Sequence, residues 1–225
     1  MVRAPKAILL GIAGKMKIYD ISMEISKDMA VYKNKKEKNP KLKTVRTLMQ
    51  GANESKLDIE SHTGTHADAF FHMLAEGKTI EKLPLNRFVG GCIIIDFTKT
   101  KNDAISIKNF QKNDKKNKIN KNDIVLLKTR NKPLKEFDYN FKYLDKSGAK
   151  FLAGKKIKCV GIDNLGIERN QPKHDTHKIL FEKDIPIVEG LELSEVKEGR
   201  YFFIGLPLKI KGGDGSPIRA VLVRF

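Results

Sequence analysis

Tryptophan is absent from these 225 residues, and cysteine occurs only twice. Cys92 and Cys159 each sit in an apolar run, Gly-Cys-Ile-Ile-Ile and Lys-Cys-Val-Gly-Ile, where a small buried hydrophobe is the natural reading. A disulfide-stapled scaffold and a thiolate-rich structural zinc site are thereby excluded. This cysteine usage fits a reducing compartment, and a cytoplasmic location is the expectation. No apolar run approaches the ~20 residues of a membrane span, so a membrane role is not expected. Acidic residues are also in short supply: 27 Asp and Glu face 44 Lys and Arg, for a net charge of +17. A charge of that size raises nucleic-acid binding as a function. Its distribution argues against it. The densest basic stretches, Lys33 to Lys43 and Lys112 to Lys121, lack the interleaved aromatics of a single-strand-binding surface. The lysines read instead as a solvated surface whose field can draw anionic small molecules.

A hydrophobic content of 40% beside 32% charged residues describes a globular chain. Its length suits one domain. Residues 1–15 read as an extension outside the fold, with a natural start at Met16, so residues 16–225 are the expected catalytic domain. Strands are expected at Lys17–Ile25, Cys92–Phe97, Asp123–Thr129, Cys159–Asp163, Tyr201–Ile210 and Ile218–Phe225. Thr44–Leu48 and Leu57–Ser61 flank a turn at Gly51 and read as a hairpin. Helices are expected at Ser106–Gln111, Phe141–Ala153 and His174–Lys183. With no regular βαβ alternation in view, the pattern predicts an α/β or α+β domain with a mixed sheet or barrel-like core and flanking helices.

Three of the five histidines fall within eleven residues, in His62-Thr-Gly-Thr-His66-Ala-Asp68-Ala-Phe70-Phe71-His72. Imidazole nitrogens and a carboxylate at such spacing suit zinc, manganese or iron(II), and the lack of thiolate favours a catalytic over a structural site. Thr63-Gly64-Thr65 is a poor helix interior. The expectation is His62 at a strand end, a tight turn at Gly64, and Thr65 entering a helix or turn, with Thr65-x-x-Asp68 as a capping pattern. Glu189 alone reads as a strand-end surface acid, although its apolar neighbours Ile187, Val188 and Leu191 also fit a buried carboxylate, which would need a partner such as a cation.

His-x-Gly-Thr-His-x-Asp-x-x-x-His resembles the signature of the metal-dependent cyclase family, which includes bacterial kynurenine formamidases and isatin hydrolases. Asp20-Ile-Ser, Phe88-Val-Gly-Gly, Val160-Gly-Ile-Asp163 and Asp214-Gly-Ser-Pro-Ile-Arg follow in the family's order, so the likeness covers residues 17–225. It implies a swivelling β/β/α or barrel-like fold and a homodimer or homotetramer, acting on a small-molecule substrate. It implies two divalent ions per chain, zinc first and manganese second. His62, His66 and Asp68 would be ligands, with Asp68 bridging the ions, and His177 and Glu189 would complete the second site. His174 competes for the place of His177. His72 would be the acid/base residue, one that can give a proton to a leaving amine. The implied reaction is hydrolysis of a small amide, an arylformamide of the N-formylkynurenine type. Lactam or lactone opening, cyclase or dehydratase chemistry, and non-catalytic binding are the alternatives. The sequence departs from the family at two places. Phe70 stands where the family has Pro, and Tyr32 where formamidases often carry Trp, so Tyr32, Phe70 and Phe71 are expected in the substrate pocket.

Overall fold

A computed structural model describes residues 16–114 and 118–225; the expected extension at residues 1–15 lies outside the described residues. Among the described residues, thirteen strands and three α-helices follow one another. They are β1 (Lys17–Asp20), β2 (Lys41–Arg46), β3 (Glu54–Asp58), β4 (His66–Asp68), β5 (Val89–Asp96), β6 (Ala104–Ile105) and α1 (Ile107–Asp114). Then come β7 (Ile124–Lys128), β8 (Tyr143–Leu144), α2 (Lys146–Gly154), β9 (Cys159–Ile162), α3 (Asp175–Phe181) and β10 (Ile187–Glu189). The chain closes with β11 (Gly199–Ile204), β12 (Gly215–Pro217) and β13 (Val221–Arg224).

Nine strands form one mixed sheet in the order β1-β13-β11-β5-β7-β9-β10-β4-β12. Its middle, β5-β7-β9-β10, is parallel, and both flanks are antiparallel. Every residue of Ile124–Lys128 and Cys159–Ile162 is buried, as short continuous apolar runs require in a sheet covered on both faces. The sheet curls into a half-barrel. Past β1, Ser22 bridges to Leu191, which follows β10, so the chain beyond one edge strand meets the far side.

The parallel middle corrects the expectation of no regular βαβ alternation. Helix α1 lies between β5 and β7, α2 between β7 and β9, and α3 between β9 and β10, since parallel neighbours need a crossover. The helices are only 8, 9 and 7 residues long, too short to print a clear 3.6-residue pattern among so many lysines. The expected helix Phe141–Ala153 is also later than foreseen. Tyr143–Leu144 pairs with Ala104–Ile105, and the helix begins only after Asp145, whose carboxylate accepts the Gly148 amide at 2.8 Å as an N-cap. The expected hairpin forms, but both of its strands lie about two to three residues earlier than Thr44–Leu48 and Leu57–Ser61, at Lys41–Arg46 and Glu54–Asp58, with every residue of both exposed.

Candidate metal centre

His62 and Gly64 sit in the approach to β4, and Gly64 makes the expected tight turn at φ +62°. No helix begins after that turn. Residues His66–Asp68 form a short strand held between β10 and β12. The capping pattern fails with it, because the Thr65 hydroxyl donates across to the Gly190 carbonyl and accepts the Met23 amide. Strand geometry then does the placing. His66 and Asp68 are two residues apart and share a face, while Ala67 turns into the core. The register sets Glu189 opposite His66. A slip of one residue would turn all three carriers of charge to the other face. His177 arrives from α3, whose first amides, Thr176 and His177, are capped by Glu168 Oε2 at 3.1 and 3.4 Å.

Asp68 is at the centre. One carboxylate oxygen, Oδ1, lies 2.9 Å from His62 Nδ1 and 3.3 Å from His66 Nε2. The other, Oδ2, lies 3.6 Å from His177 Nε2. Glu189 completes the ring, its Oε2 3.7 Å from His66 Nε2 and its Oε1 3.7 Å from His177 Nε2. Two ligand groups therefore share Asp68: His62, His66 and Asp68 on one side, and His177, Glu189 and Asp68 on the other. His174, the competitor, is half exposed at the cavity edge and touches Glu168 instead.

The outward nitrogens decide which lone pairs face inward. His66 Nδ1 donates to the Gly64 carbonyl at 2.9 Å, and His62 Nε2 donates to Asp214 Oδ2 at 3.0 Å. His177 Nδ1 stands 3.0 Å from Glu168 Oε1. A neutral imidazole has one lone pair, so His62 and His66 turn theirs toward Asp68 and Glu189, and His177 does the same when its Nδ1–H is the one that faces Glu168. Meanwhile both Asp68 oxygens are buried without any hydrogen-bond partner. An uncompensated buried carboxylate is costly, and imidazoles in the neutral form would face it with lone pairs rather than donors. That donor set fits divalent cations.

Without cations, protons do the neutralising. Burial depresses His62, but Asp68 and Asp214 outweigh it and lift its pKa to about 9. Burial likewise works against His177, and Asp68 with Glu168 raises it to about 10. Burial would raise Asp68, yet the three imidazoles hold it well below the usual carboxylate range. Glu189 is pushed up by burial and then by the Asp68 charge. His72 differs from the ligand candidates: burial lowers its pKa, and the opposing Asp68 charge is offset by the His62 and His177 imidazoles, so the net shift is downward.

His72 closes a three-residue turn after β4 and stands against His62, with ring centroids 4.2 Å apart. These groups open onto a cavity of about 500 Å³. Tyr32 lines it, as expected. Phe70 and Phe71 do not line it. Phe70 is buried against Phe181 at 5.4 Å and braces the turn, and Phe71 is an exposed side chain outside the cavity wall. The facing wall is instead Phe137, Tyr139 and Phe141, which the sequence did not reveal because they lie in a loop without periodicity. Asn34 holds that loop to the Tyr32 turn by exchanging two hydrogen bonds with the Phe137 backbone. Asp214 and Glu168 were also missed as site residues. Asp214 lay in a segment that reads as a turn, Lys-Gly-Gly-Asp-Gly-Ser-Pro, and Glu168 had no companion in sequence.

Residues 19–169 match the putative cyclase family. This chain belongs to that family. A kynurenine formamidase of Bacillus cereus is 32% identical over 209 residues, covering 90% of this chain and 95% of its own. A potential metal-dependent hydrolase with cyclase activity, known as a solved structure, is 44% identical with a TM-score of 0.84, over 92% of this chain and 98% of its own. An isatin hydrolase bound to the product analogue thioisatinate shares the fold at a TM-score of 0.83 and 18% identity, over 93% of this chain and 92% of its own. As a member of the cyclase family the chain combines a curled mixed sheet with His and Asp groups suited to a metal. No helix of the described residues is long and apolar enough to cross a membrane.

Proposed function

We propose that this cyclase-family protein is a divalent-metal-dependent hydrolase of a small amide, with an arylformamide of the N-formylkynurenine type as the first substrate to test. The observation that carries the reading is Asp68, buried, without a hydrogen-bond partner, and shared between two ligand groups. His62, His66 and Asp68 would hold one ion, and Asp68, His177 and Glu189 the other, with zinc first and manganese second. Bound there, such ions lower the pKa of water toward neutrality and polarise a carbonyl.

The chain's own residues do the rest. Tyr32 and Phe137, edge to face with centroids 5.0 Å apart, offer an aromatic wall for an aryl group. His72 is neutral near pH 7 and stands over the ligand histidines. It takes a proton as the water attacks and returns it to the departing nitrogen. The relative named kynurenine formamidase supports an amide as the substrate.

The test is elemental analysis of chelator-free protein together with hydrolysis of N-formylkynurenine by the same sample. Near two equivalents of metal with turnover is the expected result. His72→Ala should then lose a factor of about 10²–10⁴ in kcat while keeping its metal. Metal without turnover moves the search to lactams and lactones. Absence of metal after reconstitution with zinc and with manganese overturns the reading.

A further inference from the structure

Asp214 occupies a position that the two ligand groups leave unexplained. Its backbone is fixed by β12: Gly215 pairs with Asp68, and the Asp214 carbonyl accepts the Ala69 amide at 2.9 Å. One side-chain oxygen, Oδ1, accepts the Ser61 hydroxyl at 2.8 Å. The other, Oδ2, accepts His62 Nε2 at 3.0 Å and lies 3.8 Å from His72 Nδ1. The next residue is cut to fit the same ring. A Cβ on Gly215 would meet His62 Cε1 at 2.8 Å and Nε2 at 3.1 Å.

His62, His72 and Asp214 could themselves be read as a third cation site, since their ligand atoms lie within reach of one another. The chemistry of His62 argues otherwise. Its Nδ1 faces Asp68 at 2.9 Å and its Nε2 faces Asp214 at 3.0 Å. A neutral imidazole has one lone pair and one N–H, so it cannot give lone pairs to cations on both sides. The carboxylate of Asp214 is the better acceptor for the N–H, which leaves the lone pair on Nδ1 for the inner group. The His72 side chain makes no hydrogen bond among the described residues, and Asp214 is the carboxylate that its Nδ1 faces, at 3.8 Å. The 3.8 Å gap is longer than a hydrogen bond, as contacts of proton-transfer groups often are before substrate binds.

We propose that Asp214 is a positioning residue that ties a metal-ligating histidine to the proton-transfer histidine: one carboxylate oxygen sets the ring of His62 and the ring of His72 together. The proposal rests on the hydrolase reading for the role of His72, but not for that of His62. With Nδ1–H directed at Asp214, His72 presents Nε2 for proton transfer, in the way a carboxylate orients the base of a catalytic triad. Tilting one ring then moves the other, and metal affinity and proton transfer become linked through a single side chain.

The experiment measures zinc affinity by competition with a chelator, and kcat against pH at saturating zinc, for wild type, Asp214→Asn, Asp214→Glu, His72→Ala and the double variant of Asp214→Asn with His72→Ala. Asp214→Asn should bind zinc about 10–100-fold more weakly. At saturating zinc its kcat should fall on the order of 10²-fold, with KM little changed and the pH profile altered. Added to His72→Ala, the same substitution should lower kcat less than about threefold, since it has nothing left to orient. Asp214→Glu should recover part of both losses. Zinc affinity within about twofold of wild type would overturn the role at His62. A full loss of kcat persisting in the His72→Ala background would overturn the link to His72. Zinc affinity needs no substrate and judges Asp214 even where the amide reading fails; wild-type turnover judges that reading alone.

Discussion

Two segments that are neighbours in the chain have opposite fates. The hairpin β2–β3 ends at Asp58 with both faces of both strands exposed, including Leu42 and Leu57. Strand β4 begins eight residues later at His66, and all of it is buried, including a histidine and a carboxylate. Hydropathy does not separate the two, since both are predominantly polar. The hairpin carries leucines and a valine, and β4 carries His, Ala and Asp. Burial here follows strand pairing rather than residue preference: β4 is held between β10 and β12, which sets His66, Asp68 and Glu189 together and leaves the Asp68 carboxylate without a hydrogen-bond partner. The hairpin stands outside as a separate two-stranded sheet: its strands pair only with each other, and most of their residues are charged or polar.

The sharpest way to break this contrast is to remove the charge that β4 buries. Asp68→Asn keeps the shape and discards the bridge. It should abolish tight zinc binding at both groups and lower turnover by at least about 10³-fold, because each ion loses a ligand at once. Thermal melts with and without zinc check this directly, since a bound ion raises the melting temperature and an unbound one does not. A zinc-dependent rise in Asp68→Asn equal to that of wild type would refute the shared-carboxylate arrangement.

Next in size is a pair of glycines, one from each region, both in left-handed backbone. Gly190 follows β10 at φ +68°, and a Cβ there would lie 2.2 Å from the Gly64 carbonyl oxygen. Gly51 turns the hairpin at φ +105° with nothing within 4 Å. Gly190→Ala carries both strain and a backbone clash, so it should cost about 3 kcal/mol or more. The melting temperature would fall by about 6–12 °C. Gly51→Ala carries the strain alone and should cost about 1–2 kcal/mol. Equal losses would mean that the Gly64–Gly190 approach is not what holds the site together.

How much of this was legible beforehand differs between the same regions. The ligand groups could be read because His62, His66, Asp68 and His72 are local in sequence and chemically rare. His177 and Glu189 came from a family likeness, and the structure brings both to Asp68. The fold was half legible. Continuous apolar runs gave β5, β7 and β9, but the short crossover helices hid the βαβ order. Strand β12, Gly-Ser-Pro, has no strand signal at all. It is a strand because β4 supplies the partner, and Asp214 reaches His62 only through that pairing. Tertiary partners decide such residues, and composition cannot.

A subtler distinction lies in protons. In the cation-free protein the pKa values of His62, at about 9, and of His177, at about 10, are raised by their carboxylates. Both are therefore protonated at pH 7, and both must lose a proton to offer an inward lone pair. Zinc binding at pH 7 should release about two protons per chain from this pair. Apparent affinity should then climb as pH rises, levelling off only toward the pKa values of about 9 and about 10. The sign is fixed: raised pKa values favour the protonated, cation-free state at low pH. Calorimetry in two buffers of different ionisation enthalpy measures the number. Release of no protons would mean that the imidazoles are already neutral and that the cluster is neutralised in another way.

The smallest effect belongs to the hairpin, and its smallness is the point. Leu42 and Leu57 face each other across the two strands, 72% and 47% exposed. A cross-strand apolar pair contributes about 0.2–1 kcal/mol, and exposed substitutions elsewhere on a surface fall within about 0.5 kcal/mol. Replacing both with serine should therefore shift the melting temperature by no more than about 2–4 °C and leave turnover within about twofold, although the hairpin ends only a few residues before His62. An isolated two-stranded hairpin is marginal on its own, so local fraying is expected without any loss of the metal groups. A larger fall that also depends on protein concentration would show that the hairpin is buried against a second copy. The contrast with β4 would then be one between two kinds of buried strand, one covered by its own sheet and the other by a neighbour.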